Sequence, residues 1–93
     1  MTTLSWPAKD PDEVLDYRID WTDRLEEDET ILSSTWTVPV GLTQNSAVTQ
    51  AKTTTVWLSG GSTLGKIYRV HNRVITSGGR TFDQTVDLKV KPK

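Results

Sequence analysis

The sequence predicts an all-β fold: a sandwich of about six to seven short antiparallel strands behind an extended N-terminal arm. Three observations carry this. Thr is the largest residue class with fifteen copies, beside nine Val and four Trp, and such side chains suit a pleated, half-buried surface. Apolar and polar residues alternate at period two in several stretches, and none of helical length repeats at 3.6 residues. Short clusters of Gly, Pro, Asn, Asp and Ser separate the alternating stretches, as turns separate strands.

The 93 residues fill one domain. Surface scaling gives about 5,400 Å² exposed after folding against about 15,000 Å² for the open chain, which leaves a small but adequate core. No run approaches the roughly 20 apolar residues of a spanning helix, so no membrane partner is expected. The absence of Cys excludes disulfides, thiolate nucleophiles and Cys-ligated metals, and it suits a reducing compartment. Residues 1–9 lack the basic start and apolar centre of a secretory leader, so the cytoplasm is the expected site of folding.

Residues 1–9 read as the extended arm and residues 10–93 as the sandwich domain. Pro7 biases Trp6 toward extended geometry and offers no amide to a ladder. Asp10-Pro11-Asp12-Glu13 has the chemistry of a helix start, with Asp10 as cap and Glu13 three residues later. No helical period follows, so a single turn at most is expected. From Leu15 the pattern alternates, with Leu15, Tyr17, Ile19 and Trp21 on one face and Asp16, Arg18 and Asp20 on the other.

Thr22 to Glu29 is a polar connection. Ile31 to Val38 is the next strand, with Leu32, Ser34, Trp36 and Val38 as its expected inner face. Pro39-Val40-Gly41-Leu42 ends it, and Ala47 to Ala51 reads as a weaker, polar strand. Thr53 to Leu58 puts Val56 and Leu58 on one face and Trp57 on the other, and the pattern leaves open which is buried. Ser59 to Gly65 is a Gly-rich loop.

The last two strands are the clearest. Lys66 to Thr76 carries Tyr68, Val70 and Val74 on one side, and Thr81 to Val90 carries Phe82, Val86, Leu88 and Val90. A two-residue turn at Gly78-Gly79 would oppose inner and outer positions, so parity asks for an odd-length loop or a bulge. With Ser77-Gly78-Gly79 as the loop, Tyr68 faces Leu88, Val70 faces Val86 and Val74 faces Phe82. On the other face the same register sets Arg69 against Asp87 and Arg73 against Asp83. Gly65-x-x-Tyr68-x-Val70 followed by an antiparallel last strand resembles the close of immunoglobulin-like domains, in a cysteine-free version.

Charge is segregated. Residues 10–29 hold ten of the twelve acids against Arg18 and Arg24, while residues 52–93 hold eight bases against Asp83 and Asp87. Either the halves neutralise one another within the fold, or they make a dipolar surface suited to head-to-tail contacts.

Candidate chemistry is sparse. Gly60 to Lys66 fits a phosphate-binding loop, but Ile67 stands where Ser or Thr must hold Mg²⁺, and a strand follows where a helix is needed. Ser62 sits in a near-match to a nucleophile elbow that has Leu64 where Gly is required. His71, the single His, falls between two Arg on an outward face, which suits cross-strand pairing better than catalysis. Glu26-Glu27-Asp28-Glu29 lacks the ligand spacing of a calcium loop and reads as a solvated acidic turn. Of the possible basic stripe Arg69, His71, Arg73, Lys89, Lys91 and Lys93, the register pairs two with Asp83 and Asp87; no aromatic lies on that face for stacking and the chain pI is 5.7, against nucleic-acid binding. No catalytic residue, cofactor or metal is expected.

Lys9 to Trp21 (KDPDEVLDYRIDW) resembles the opening of a family of small tailed-phage virion proteins labelled fiber–tail adaptors. The likeness continues through Asp28–Ile31, Ser34–Val38, Gly41–Thr43, Thr55–Gly61, Gly65–Val70, Asn72-Arg73 and Thr76–Arg80, and spans about residues 9–90. It implies an immunoglobulin-like sandwich with a structural place near the tail or head–tail junction. As an adaptor or decoration domain it would contact other virion proteins (tail, fiber, portal or capsid) and further copies of itself. It would be made and assembled in the bacterial host cytoplasm. The expected interface residues are Leu4, Trp6 and Pro7 of the arm together with Trp57, since exposed aromatic anchors dominate binding energy. Two alternatives stand: Trp6 folds back to blunt its own sheet edge, and Trp57 serves a carbohydrate- or host-surface-binding module.

Overall fold

A computed structural model describes residues 4–61 and 65–91. Seven strands form: β1 (Leu4–Ser5), β2 (Leu15–Asp20), β3 (Ile31–Thr37), β4 (Leu42–Thr49), β5 (Thr53–Gly60), β6 (Ile67–Thr76) and β7 (Thr81–Lys89). They make a four-stranded sheet in the order β1-β7-β6-β3 and a three-stranded sheet in the order β2-β5-β4. Pairing of the second strand with the fifth, and of the third with the sixth, is that of an immunoglobulin-like sandwich. All pairings are antiparallel except that of β1, which runs parallel to β7. The folded surface of 5485 Å² matches the value expected from chain length.

Period-two alternation sets the core. Tyr17 and Ile19 of β2, Val56 and Leu58 of β5, Tyr68, Val70 and Val74 of β6, and Val86 and Leu88 of β7 are buried. The face of β5 that the sequence leaves undecided is thereby fixed, with Val56 and Leu58 inside and Trp57 outside. Burying a side chain of this size contributes about 1.5–3 kcal/mol. The β6–β7 hairpin has the register that parity demands: Tyr68 opposite Leu88, Val70 opposite Val86, Val74 opposite Phe82. Its three-residue loop Ser77-Gly78-Gly79 ends with Gly79 at φ 76°, a left-handed position that glycine adopts without strain.

Two expectations need correction. The inner face of β3 starts with Ile31, which is buried, while Leu32 points to solvent. A β-bulge between Ile31 and Ser33 inserts one residue and reverses the alternation at that point. The weak strand expected at Ala47 to Ala51 is instead β4, eight residues long and starting at Leu42. It runs along the sheet edge, where polar side chains on both faces weaken the alternation signal. It too carries a bulge, between Gln44 and Ser46.

A buried polar chain crosses the sandwich. The Trp21 indole donates to Thr54 Oγ1 at 3.0 Å, and Thr54 donates to Asn72 Oδ1 at 2.7 Å. Asn72 Nδ2 then donates to Ser34 Oγ at 2.8 Å and to the Thr35 carbonyl at 3.1 Å. Thr54 and Asn72 are fully buried on opposite sheets, so the chain joins β5 to β6 and β3. Tyr68 closes the other end of the core against Gly41, which lies at φ 106°. A Cβ there would sit 2.8 Å from the Tyr68 ring, so the contact requires glycine.

Candidate interaction surface

The arm lies along its own domain. Leu4 and Ser5 pair with Val86 and Asp87, the Trp6 amide donates to the Asp87 carbonyl at 3.0 Å, and the Lys9 amide donates to Lys89 at 2.9 Å. Trp6 turns inward at the open side of the sandwich, stacked on Tyr17 at 4.8 Å and tilted against Trp36 at 6.1 Å. Its Nε1 donates to the Arg18 carbonyl on β2 at 3.3 Å, so one side chain joins the two sheets. Both hydrophobic clusters of the core pack against it. The buried Tyr17 hydroxyl and Trp36 Nε1 have no hydrogen-bond partner among the described residues. Burial, with Glu13 and Asp16 adding repulsion, pushes the Tyr17 phenol up to about 12.

Lys9 anchors the arm's base. It is fully buried, and its Nζ donates to the carbonyls of Asp10 and Gly60, each at 2.8 Å. The turn after it has capping-box chemistry without a helix: the Asp10 amide donates to Glu13 Oε1 at 2.8 Å, and the Asp12 amide to Asp10 Oδ1 at 2.8 Å.

The four expected interface residues fall in two places. Leu4 and Pro7 are exposed at the β1 edge, with Trp6 beneath them. Trp57 projects from the outer face of the three-stranded sheet, partly exposed, on the far side of β5 from the core. Its cross-strand neighbours are Asp16 on β2 and Ser46 on β4. Thr55 and Ser59 flank it along β5, with Val48 paired to Thr55. This face therefore sets an aromatic ring among hydroxyls, beside Asp16 and the exposed Val48, with Arg18 and Asp20 opposite Thr55 and Thr53 on the same face.

The outer face of the four-stranded sheet is a paired charge ladder. Arg73 Nε donates to Asp83 at 2.8 Å, His71 Nε2 lies 2.9 Å from the same carboxylate, and Arg69 approaches Asp87 at 3.4 Å. Hydrogen bonds from Arg73 and His71 hold the Asp83 carboxyl below its ordinary range. The cross-strand pairing expected for His71 and both Arg–Asp pairs is present, all of it within the basic half of the chain; Arg80 and Glu29 form an ion pair between the two halves.

At the hairpin end the acidic turn has one structural member. Glu29 is buried, takes the Arg80 guanidinium on both oxygens, accepts from the Thr76 hydroxyl, and accepts the Glu26 amide at 2.9 Å. Those donors, Arg80 first, hold its carboxyl down to about 2. Arg80 and Arg24 flank the Phe82 ring at 4.8 and 4.7 Å, a cation–π stack that also supports Trp21. An open cavity of about 500 Å³ lies between Glu26, Asp28, Ser77 and Arg80. The sequence does not single out Glu29 or Lys9, because their partners lie about fifty residues away.

The described residues contain no group of three His, Asp or Glu placed to hold a metal ion. The strand expected after Gly60–Lys66, in place of the helix a phosphate-binding loop needs, is β6, which begins at Ile67. Ser62, the elbow candidate, lies outside the described residues with Thr63 and Leu64.

No curated protein matches the chain. A family model described as podophage GP4 fiber-tail adaptor protein gp77 matches residues 9–89, nearly the whole sandwich from the Lys9 anchor to the end of β7. With that match across its length and an immunoglobulin-like pairing of its strands, the chain belongs to the podophage GP4 fiber-tail adaptor family, a structural family of the phage virion.

Proposed function

We propose that the chain is a non-enzymatic adaptor or decoration domain at the tail or head–tail region of a podophage virion. It acts by protein–protein contacts and is assembled in the host cytoplasm. The observation that carries this reading is the family match over residues 9–89. The partners are other virion proteins of the tail, fiber, portal or capsid, and further copies of the chain. The contact surface is the outer face of the three-stranded sheet around Trp57, with Leu4 and Pro7, exposed above the inward-turned Trp6, forming a second contact at the β1 edge. A partly exposed Trp on a sheet face is the residue type that anchors an interface.

A second reading rests on the hydroxyls around Trp57, since an aromatic platform with polar neighbours also suits a sugar ring. Trp57→Ala separates the two. Under the adaptor reading the variant keeps its thermal midpoint, is lost from assembled particles, and the parent chain binds no glycan on an array. Normal incorporation together with Trp57-dependent glycan binding overturns it in favour of the second.

A further inference from the structure

The arm reveals what its slot accepts. Between the β7 edge, Tyr17 and Trp36, the sandwich receives a parallel strand of two residues followed by an indole. Without Trp6, two aromatic walls and the sides of both core clusters would face water, so the slot demands an apolar occupant. The tether between plug and domain is short. Lys9 is fixed by its buried amine and by amide bonds to β7, and only Pro7 and Ala8 separate it from Trp6. The bonds that hold Lys9 involve none of Leu4–Trp6. Residues 1–8 carry no charged side chain, so two arms meet no side-chain repulsion when they cross. The slot walls Tyr17 and Trp36 lie inside the family match, which starts at residue 9, and the plug lies outside it.

We propose that this slot takes the arm of a second copy, so that Leu4–Trp6 exchange between neighbouring molecules about a pivot at Pro7-Ala8. The exchange gives a definite form to the contacts between copies in the adaptor reading and rests on that reading for its setting in the virion. Each slot regains the same strand pairing and the same indole, so the contacts of the free chain are kept. The choice between own and partner arm is then one of concentration. A tethered arm competes at an effective concentration of about millimolar, so dilute protein keeps its own arm and copies held side by side exchange. Five extended residues reach about 17 Å, which requires the two β7 edges to lie together, and a two-fold axis between them makes the exchange reciprocal.

The chain has no Cys, so engineered thiols report cleanly. Ser5 and Asp87 are register partners. Ser5→Cys and Asp87→Cys are placed on separate, mass-distinguishable chains, mixed at millimolar concentration and oxidised. The expected product is a mixed disulfide at least tenfold above that of Ser5→Cys mixed with Thr43→Cys, whose thiol lies on the other sheet. Both substitutions on one chain, oxidised when dilute, should close within the chain and hold it monomeric at concentrations where the parent sediments as a dimer. The proposal is overturned if the doubly substituted chain closes fully but the mixed single variants give no more product than the control. It is equally overturned if the parent remains a monomer at millimolar concentration. Neither result depends on a virion, so failure here leaves the adaptor reading standing, and normal incorporation of Trp57→Ala leaves the exchange standing.

Discussion

The indole of Trp6 stacks on the ring of Tyr17 at 4.8 Å with 27° between planes, and this contact joins the arm to the three-stranded sheet. It sits beside Trp36, on the third strand, where disulfide-bearing immunoglobulin domains carry a Trp against their bridge. Here Val70, two residues after Tyr68, occupies the sixth-strand Cys position, and aromatic packing joins the sheets. Trp6→Ala should therefore cost about 2–4 kcal/mol, within the range for large-to-small changes at a partly buried aromatic. For a domain of this size that lowers the thermal midpoint by about 10 °C or more, and a chain starting at Asp10 should fall at least as far. A midpoint unchanged by either would show that the arm is not part of the fold.

The Trp21–Thr54–Asn72 chain predicts a non-additive pair. Thr54→Val leaves the Asn72 carbonyl and the Trp21 indole without their buried partner, at about 1–3 kcal/mol. Asn72→Leu removes the other half. In urea denaturation the double variant should lose less than the two single losses together, because the groups act as one network. Strict additivity would mean that the contacts are energetically separate.

Acid should weaken the fold through Glu29. Its folded carboxyl is held down to about 2 against an ordinary 4.5. A lowered pKa stabilises above the ordinary value, so the contribution is complete above pH 4.5 and is lost as pH falls from 4.5 toward 2. Asp20, held down by Thr22, and Asp83, held down by Arg73 and His71, act in the same direction. Thermal midpoints taken across that range should fall steeply for the parent chain and less steeply for Glu29→Gln. Identical slopes would remove Glu29 from the account.

At the other end of the scale, Tyr17 should ionise late. Its phenol is pushed up to about 12 by burial and by Glu13 and Asp16. A raised pKa stabilises below the ordinary value of 10.0, and that contribution is lost as pH rises from 10 toward 12. Ultraviolet titration of the parent chain against Tyr17→Phe should assign the late, cooperative transition to Tyr17. Its ionisation in the ordinary tyrosine range would mean that Trp6 does not cover it.

The residues differ in how far their sequence announces them. The β6–β7 register is legible because two faces had to agree at once, apolar against apolar and Arg against Asp, and only a three-residue loop satisfies both. Ile31 and Leu32 are adjacent and equally apolar, so nothing local tells which points inward once a bulge intervenes. The parallel pairing of Leu4 with Val86 joins the two ends of the chain and leaves no periodic trace. Glu29 reads as part of a solvated turn, and nothing marks Lys9 as buried, because burial of a charge depends on distant partners, here Arg80 and Gly60. Trp57 is the opposite case: its alternation with Val56 and Leu58 places it on one face, and their burial makes that face the outer one.

The most direct test of the adaptor reading is an electron-microscopy reconstruction of the virion that carries this chain. The account predicts the sandwich at the tail or head–tail region, with the Trp57 face of the three-stranded sheet packed against a neighbouring virion protein. A reconstruction in which the sandwich is absent from the particle, or in which that face looks onto solvent in every copy, would contradict it.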